Sequence, residues 1–184
     1  MIIAQALRKP TRASLSDEQT SACSLATGNA GLAVAFAYLA ESEIVRDAEE
    51  TATEFLNTAV DAVASVPSDP SLYGGFTGTA WAMAHLESRL FDTDDGDANG
   101  VVDETLCEYL TQSPWPGDYD IVGGLVGFGV YALERLPRPS TITCLKLVID
   151  RLEETAERTA EGITWYPAGV APGSSTQGMP QWAL

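Results

Sequence analysis

Few side chains in this sequence are suited to chemistry, and they are scattered along it. There is one histidine, His85, and three cysteines, Cys23, Cys107 and Cys144. There is also an aspartate pair, Asp118 and Asp120, and an acidic run from Asp92 to Glu104. The cysteines are far apart, with neither a CxxC spacing nor a Cys–His pair, so they are expected to be buried free thiols that hold no metal. Asp118 and Asp120 could act as an acid and a base on a glycosidic bond only if their carboxyls stood about 5 to 9.5 Å apart. Residues two apart in a loop would meet that spacing only by chance. The acidic run places Asp95, Asp97, Asn99 and Asp103 at positions 1, 3, 5 and 9 of an EF-hand-like loop, with Gly100 at position 6. Position 12, which should supply a bidentate glutamate, is Leu106. An acidic connection between two helical hairpins is the simpler reading. His85 lies within an apolar helical run and reads as a satisfied inner-face histidine rather than a ligand or base.

The elements that must position these groups follow from a repeat. Three segments, LATGNAGLAVAFAYLAE from Leu25, LYGGFTGTAWAMAHLES from Leu72 and IVGGLVGFGVYALERL from Ile121, each carry two glycines three apart. The pairs are Gly28 and Gly31, Gly75 and Gly78, and Gly124 and Gly127, recurring after 47 and then 49 residues. Such a period marks a repeat architecture. Each glycine pair leads into an alanine-rich apolar run, which favours a helix buried on most faces. Between them, Ser42–Ser65, Val101–Leu110 and Thr141–Ala160 have the pattern of amphipathic helices. Ile44, Ala48, Thr51, Phe55, Thr58 and Ala62 form the expected stripe of the first. Leu145, Val148, Ile149, Leu152 and Thr155 form that of the last. The alternation predicts an all-α fold of two helical layers, either a solenoid or a closed α/α toroid. Glycine before each inner helix would permit a positive φ or a close backbone approach.

The wording of these copies resembles the lanthionine synthetase C-like family, the cyclases that form thioether rings in lanthipeptides. YGGFTG has the family's G-x-x-G form, and DYDIVGGLVGFG, from Asp118 to Gly129, is similar to its aspartate-bearing motif. GITWY, from Gly162 to Tyr166, resembles a stretch that follows the next outer helix. The resemblance implies a partial α/α toroid, about half of a seven-hairpin double-helical barrel, over residues 25–166. An N-terminal arm (1–24) precedes it and an irregular tail (167–184) follows. It also implies that Asp120 assists proton transfer as a thiolate adds to a dehydrated residue. In the complete family a zinc ion activates that thiol. Its ligands, a cysteine and a later Cys-His pair, and the histidine of an Ala-His-Gly motif belong to the C-terminal half. They have no counterpart here, so no metal site is expected in this chain and it is expected to be inactive alone. A homodimer or a complementary C-terminal half would complete the ring around a peptide substrate. A non-catalytic peptide- or partner-binding scaffold is the alternative, and a glycosidase-like toroid a lesser one.

Composition sets the outer limits. The net charge is −16, from 26 acidic and 10 basic residues, which excludes the cationic footprint of a nucleic-acid binder. No apolar run approaches the ~20 residues of a membrane span. The N-terminus is not expected to be a secretion signal, because its positive charges follow rather than precede a short apolar stretch. A cytoplasmic location is therefore expected. The acidic, lysine-poor composition fits either a high-salt cytoplasm or an acidic protein of a GC-rich bacterium.

Overall fold

The computed structural model describes residues 22–42, 44–65, 67–90, 97–160 and 162–169. The N-terminal arm to residue 21, Asp92 to Gly96 of the acidic run and the tail from residue 170 lie outside them. Six helices occur among the described residues: α1 (Asn29–Glu41), α2 (Ala48–Ser65), α3 (Phe76–Leu90), α4 (Gly100–Leu110), α5 (Leu125–Glu134) and α6 (Pro139–Thr155). A two-stranded antiparallel hairpin, β1 (Glu157–Thr159) with β2 (Gly162–Thr164), follows. The protein is an all-α partial toroid. The glycine-led helices α1, α3 and α5 pack in sequence as the inner layer, and α2, α4 and α6 back them as the outer one.

Local chemistry explains the helix ends. Gly28 and Gly124 stand at the N-caps of α1 and α5 in extended conformation, with φ of −123° and −114°. Pro139 opens α6, where its fixed φ suits a first helical position and its missing N–H costs nothing. Glu49 and Glu50 in the first turn of α2 meet the positive end of its dipole.

The core divides into two parts. Alanines from facing helices make the first: Ala30, Ala33 and Ala37 of α1 meet Ala52, Leu56 and Ala59 of α2, with Ala82 and Leu86 of α3. Side chains this small let the helix axes approach closely. The second is larger and aromatic, with Phe76, Leu106, Leu110, Trp115, Leu125, Phe128 and Tyr131 fully or nearly buried.

Several sequence expectations need correction. The buried stripe of α2 is Ala48, Ala52, Leu56, Ala59 and Val63, and Ile44 is largely exposed. The face is turned about one residue from the expected one, because alanine rather than phenylalanine fits against α1. In α6 the buried residues are Thr141, Cys144 and Val148, while Ile149 faces solvent. The helix stops at Thr155, where Ala156 turns extended and the hairpin begins. The inner helices, expected to be buried on most faces, leave Leu32, Val126 and Leu133 exposed. The thiols also differ from expectation. Cys107 of α4 and Cys144 of α6 form a disulfide, and Cys23 is a buried thiol outside it. Helix packing brings residues 37 apart in sequence to a Cα separation of 5.1 Å, which the spacing alone does not reveal.

Candidate functional site: the glycine-turn rim and the far ends of the inner helices

The three glycine turns form one rim of the inner layer, and hydrogen bonds between backbones stitch them together. Leu25 N–H and Ala26 N–H donate to the carbonyl of Tyr73, and Tyr73 N–H donates to that of Val122. Ala26, Tyr73 and Val122 occupy equivalent positions, five residues before the second glycine of each pair.

The glycines make this rim possible through close approach. A Cβ on Gly31 would collide with the carbonyl oxygen of Leu25, one on Gly78 with that of Leu72, and one on Gly127 with that of Ile121 (at 2.5 Å). The same contact recurs in all three copies. Gly75 and Gly124 likewise leave no room for a side chain beside the carbonyls of Asp69 and Asp118. Of the two roles that glycine can play here, the rim uses close approach. The positive-φ glycines among the described residues are Gly162 and Gly169, away from the repeats.

Asp120 sits in the third turn, exposed, seven residues before Gly127. Its Oδ1 accepts from Val122 N–H at 2.7 Å and Gly123 N–H at 2.8 Å. The equivalent residues in the other turns are serines. Ser24 Oγ accepts from Ala26 N–H and Thr27 N–H, and Ser71 Oγ accepts from Gly74 N–H. A hydroxyl therefore suffices for the turn. Among the described residues, the hydrogen bonds to the Asp120 side chain all go to Oδ1, so its second oxygen is what distinguishes this copy from the other two. Asp118 plays a separate part, its Oδ1 accepting from Ala168 N–H at 2.7 Å. The two aspartates thus serve different backbone donors.

The GITWY stretch lies beside this turn. The indole N–H of Trp165 donates to the Leu152 carbonyl, and its ring faces that of Tyr119 at 6.4 Å.

At the opposite ends of the inner helices, side chains take over from backbone. His85 of α3 stacks on Trp81 at 4.6 Å. Its Nε2 lies 2.7 Å from the Tyr38 hydroxyl of α1, and its Nδ1 lies 2.9 Å from a Glu134 carboxylate oxygen of α5. Both ring nitrogens of His85 thus have polar partners on neighbouring inner helices. Its two polar partners are residues that sequence reasoning does not single out. A register signal exists, because Tyr38, His85 and Glu134 each stand seven residues after the second glycine of their copy.

The next residue, Arg135, is buried and grips the fully buried Asp103 of α4 through Nε and a terminal nitrogen, both at 2.8 Å. Tyr131 and Ser140 hydroxyls donate to the same carboxylate at 2.6 and 2.8 Å. Arg135 also reaches Asp97 at 2.7 Å. Burial pushes Asp97 toward its neutral form. The Arg135 hydrogen bond and charge, with help from Arg138, outweigh that and hold its carboxyl below the usual range. Burial, with the bond to Asp103, keeps the Tyr131 phenol protonated far above its ordinary value. Asp97 and Asp103 of the calcium-like loop hold a guanidinium, and Asn99 spends its amide on the Ala80 carbonyl.

A family model for lanthionine synthetase C-like protein matches residues 20–176, most of the sequence. The chain belongs to the lanthionine synthetase C-like family. No curated protein matches it. Among the described residues, the cysteines are not arranged as zinc ligands. Cys107 and Cys144 are bonded to each other, and the Cys23 thiol is buried toward the Gly74 carbonyl, where burial raises its pKa and disfavours a thiolate. Among the described residues, no group of three or more His, Cys, Asp and Glu is placed to hold a metal ion. None of the described helices is long and apolar enough to cross a membrane.

Proposed function

We propose that this chain forms part of a peptide-modifying cyclase wall and contributes Asp120 to thioether ring formation at a site completed by residues it does not itself carry. The observation that supports this reading is the second oxygen of Asp120. Serine performs the turn's structural work in the first two copies, so the second carboxylate oxygen of the third is surplus to architecture. An exposed carboxylate at the rim is suited to accept or return a proton as a peptide thiol adds to a dehydrated residue. The chain alone is read as inactive, because the cysteine, Cys-His and Ala-His-Gly groups of the complete family have no counterpart in its sequence. Zinc would come with those groups. A second copy or a complementary segment would cover the exposed Leu32, Val126 and Leu133. A cytoplasmic location belongs to this reading, and the Cys107–Cys144 bridge strains it, since disulfides persist mainly in oxidising compartments.

A thiol-titre assay tests the proposal. A peptide bearing one cysteine and one dehydroalanine is incubated with the chain, with and without a segment carrying the family's missing motifs. Loss of free thiol only when both are present is the expected result. Thiol loss with the complementary segment alone, at an undiminished rate, would remove this chain from the reaction.

A further inference from the structure

The register that aligns Tyr38, His85 and Glu134 assembles a second constellation, at the opposite end of the inner helices from Asp120. Three successive inner helices, α1, α3 and α5, each deliver one side chain to it, and the chemical order is hydroxyl, imidazole, carboxylate. Glu134 accepts from the Nδ1 position at 2.9 Å, which leaves Nε2 facing the Tyr38 hydroxyl at 2.7 Å. Trp81, one turn before His85, stacks on the ring at an interplanar angle of 12° and fixes its plane. Nothing in the repeat architecture requires this set, because the three copies are alike at their glycine ends and differ here. A hydroxyl within hydrogen-bond reach of a base that a third group orients is the geometric signature of an activated nucleophile.

From this geometry we infer that Tyr38 is a nucleophile for acyl transfer, with His85 as its general base and Glu134 as the positioning residue, acting on esters with a good leaving group. The Tyr38 oxygen attacks the ester carbonyl carbon and forms a new C–O bond, while its proton passes to His85 Nε2. The bond to the leaving alcohol breaks, and that oxygen takes the proton back from His85. Water then hydrolyses the O-acyl tyrosine, giving the carboxylic acid and restoring the phenol. Access suits this role, since Tyr38 is 44% exposed while His85 is mostly covered.

Tyr73 provides an internal control, being 38% exposed and located at the glycine rim. The full chain is treated with p-nitrophenyl acetate, and acetylation of each tyrosine is followed by peptide mass spectrometry. Acetyl should appear on Tyr38 roughly 100-fold faster than on Tyr73, at the lower end of the range that a positioned base supplies. His85→Asn should bring Tyr38 down to the Tyr73 rate and leave Tyr73 unchanged. Glu134→Gln should slow Tyr38 by a smaller factor. Equal rates at Tyr38 and Tyr73 in the unaltered protein would overturn the inference without any variant. So would a Tyr38 rate that His85→Asn leaves untouched.

Discussion

The two ends of the inner helices are built on opposite principles. At the glycine rim the three copies are near-identical in what they do. The same carbonyl sits where each second glycine's side chain would be, and equivalent backbone groups are linked from turn to turn. At the far end the copies share only a position. There the residues are tyrosine, histidine and glutamate, and contacts between side chains replace contacts between backbones. Repetition therefore marks architecture in this molecule, and departure from repetition marks the places where a residue type does something of its own. Asp120 belongs to both classes: its Oδ1 does what Ser24 and Ser71 do, and its second oxygen has no equivalent.

The side-chain end should be the more fragile to a single change. Arg135→Leu would leave Asp103 buried and uncompensated, at a cost of about 3–5 kcal/mol in urea denaturation. Replacing Asp103 and Arg135 together with apolar residues should cost much less, and an equal loss would show that packing, not charge pairing, is the issue. The outer wall offers a covalent counterpart. Reducing Cys107–Cys144, which closes a loop of 37 residues, should lower stability by about 2–4 kcal/mol.

At the rim, two adjacent glycines separate architecture from tolerance. Gly124→Ala drives a methyl group into the backbone of Asp118 and Asp120, with an expected loss of about 1–3 kcal/mol. Gly123→Ala meets only the Ser71 Cβ at 3.8 Å and should stay within about 0.5 kcal/mol of the parent. Equal losses at the two positions would break the claim that close approach is what the rim requires.

The smallest effect is one of pH. Because folding lowers the Asp97 pKa, its contribution is present above the unfolded value near 3.8 and is lost as pH falls through the lower folded value. Asp97→Asn should therefore flatten the melting temperature against pH below about 4, and only slightly, because the side chain is 40% exposed.

Much of this layout can be read from the sequence, for physical reasons. Glycine pairs mark the starts of the inner helices because only glycine tolerates a carbonyl so near its Cα. The family and the all-α fold are legible from the same three motifs. The phase of α2 is not, since hydrophobicity ranks Phe55 above Ala52, while the closeness of α1 favours the smaller residue. The Asp103–Arg135 pair is hidden by a separation of 32 residues and by two charged residue types that usually read as surface. The Cys107–Cys144 pair escapes prediction because helix packing, not cysteine spacing or compartment, brings the two thiols together. His85 is legible as an inner-face residue from its helix alone. Its partners emerge only when the three copies are aligned beyond their glycines, since each stands on a different helix.

Asp120→Ser writes the turn residue of the first two copies into the third, and so separates the two oxygens of that carboxylate. Because Ser24 already caps two successive N–H groups with a hydroxyl, the melting temperature should be unchanged. Thioether formation in the two-component thiol-titre assay should be lost. A variant that melts early would show that the carboxylate is there for the turn, and full ring formation by a stable variant would show that its second oxygen has no part in the chemistry.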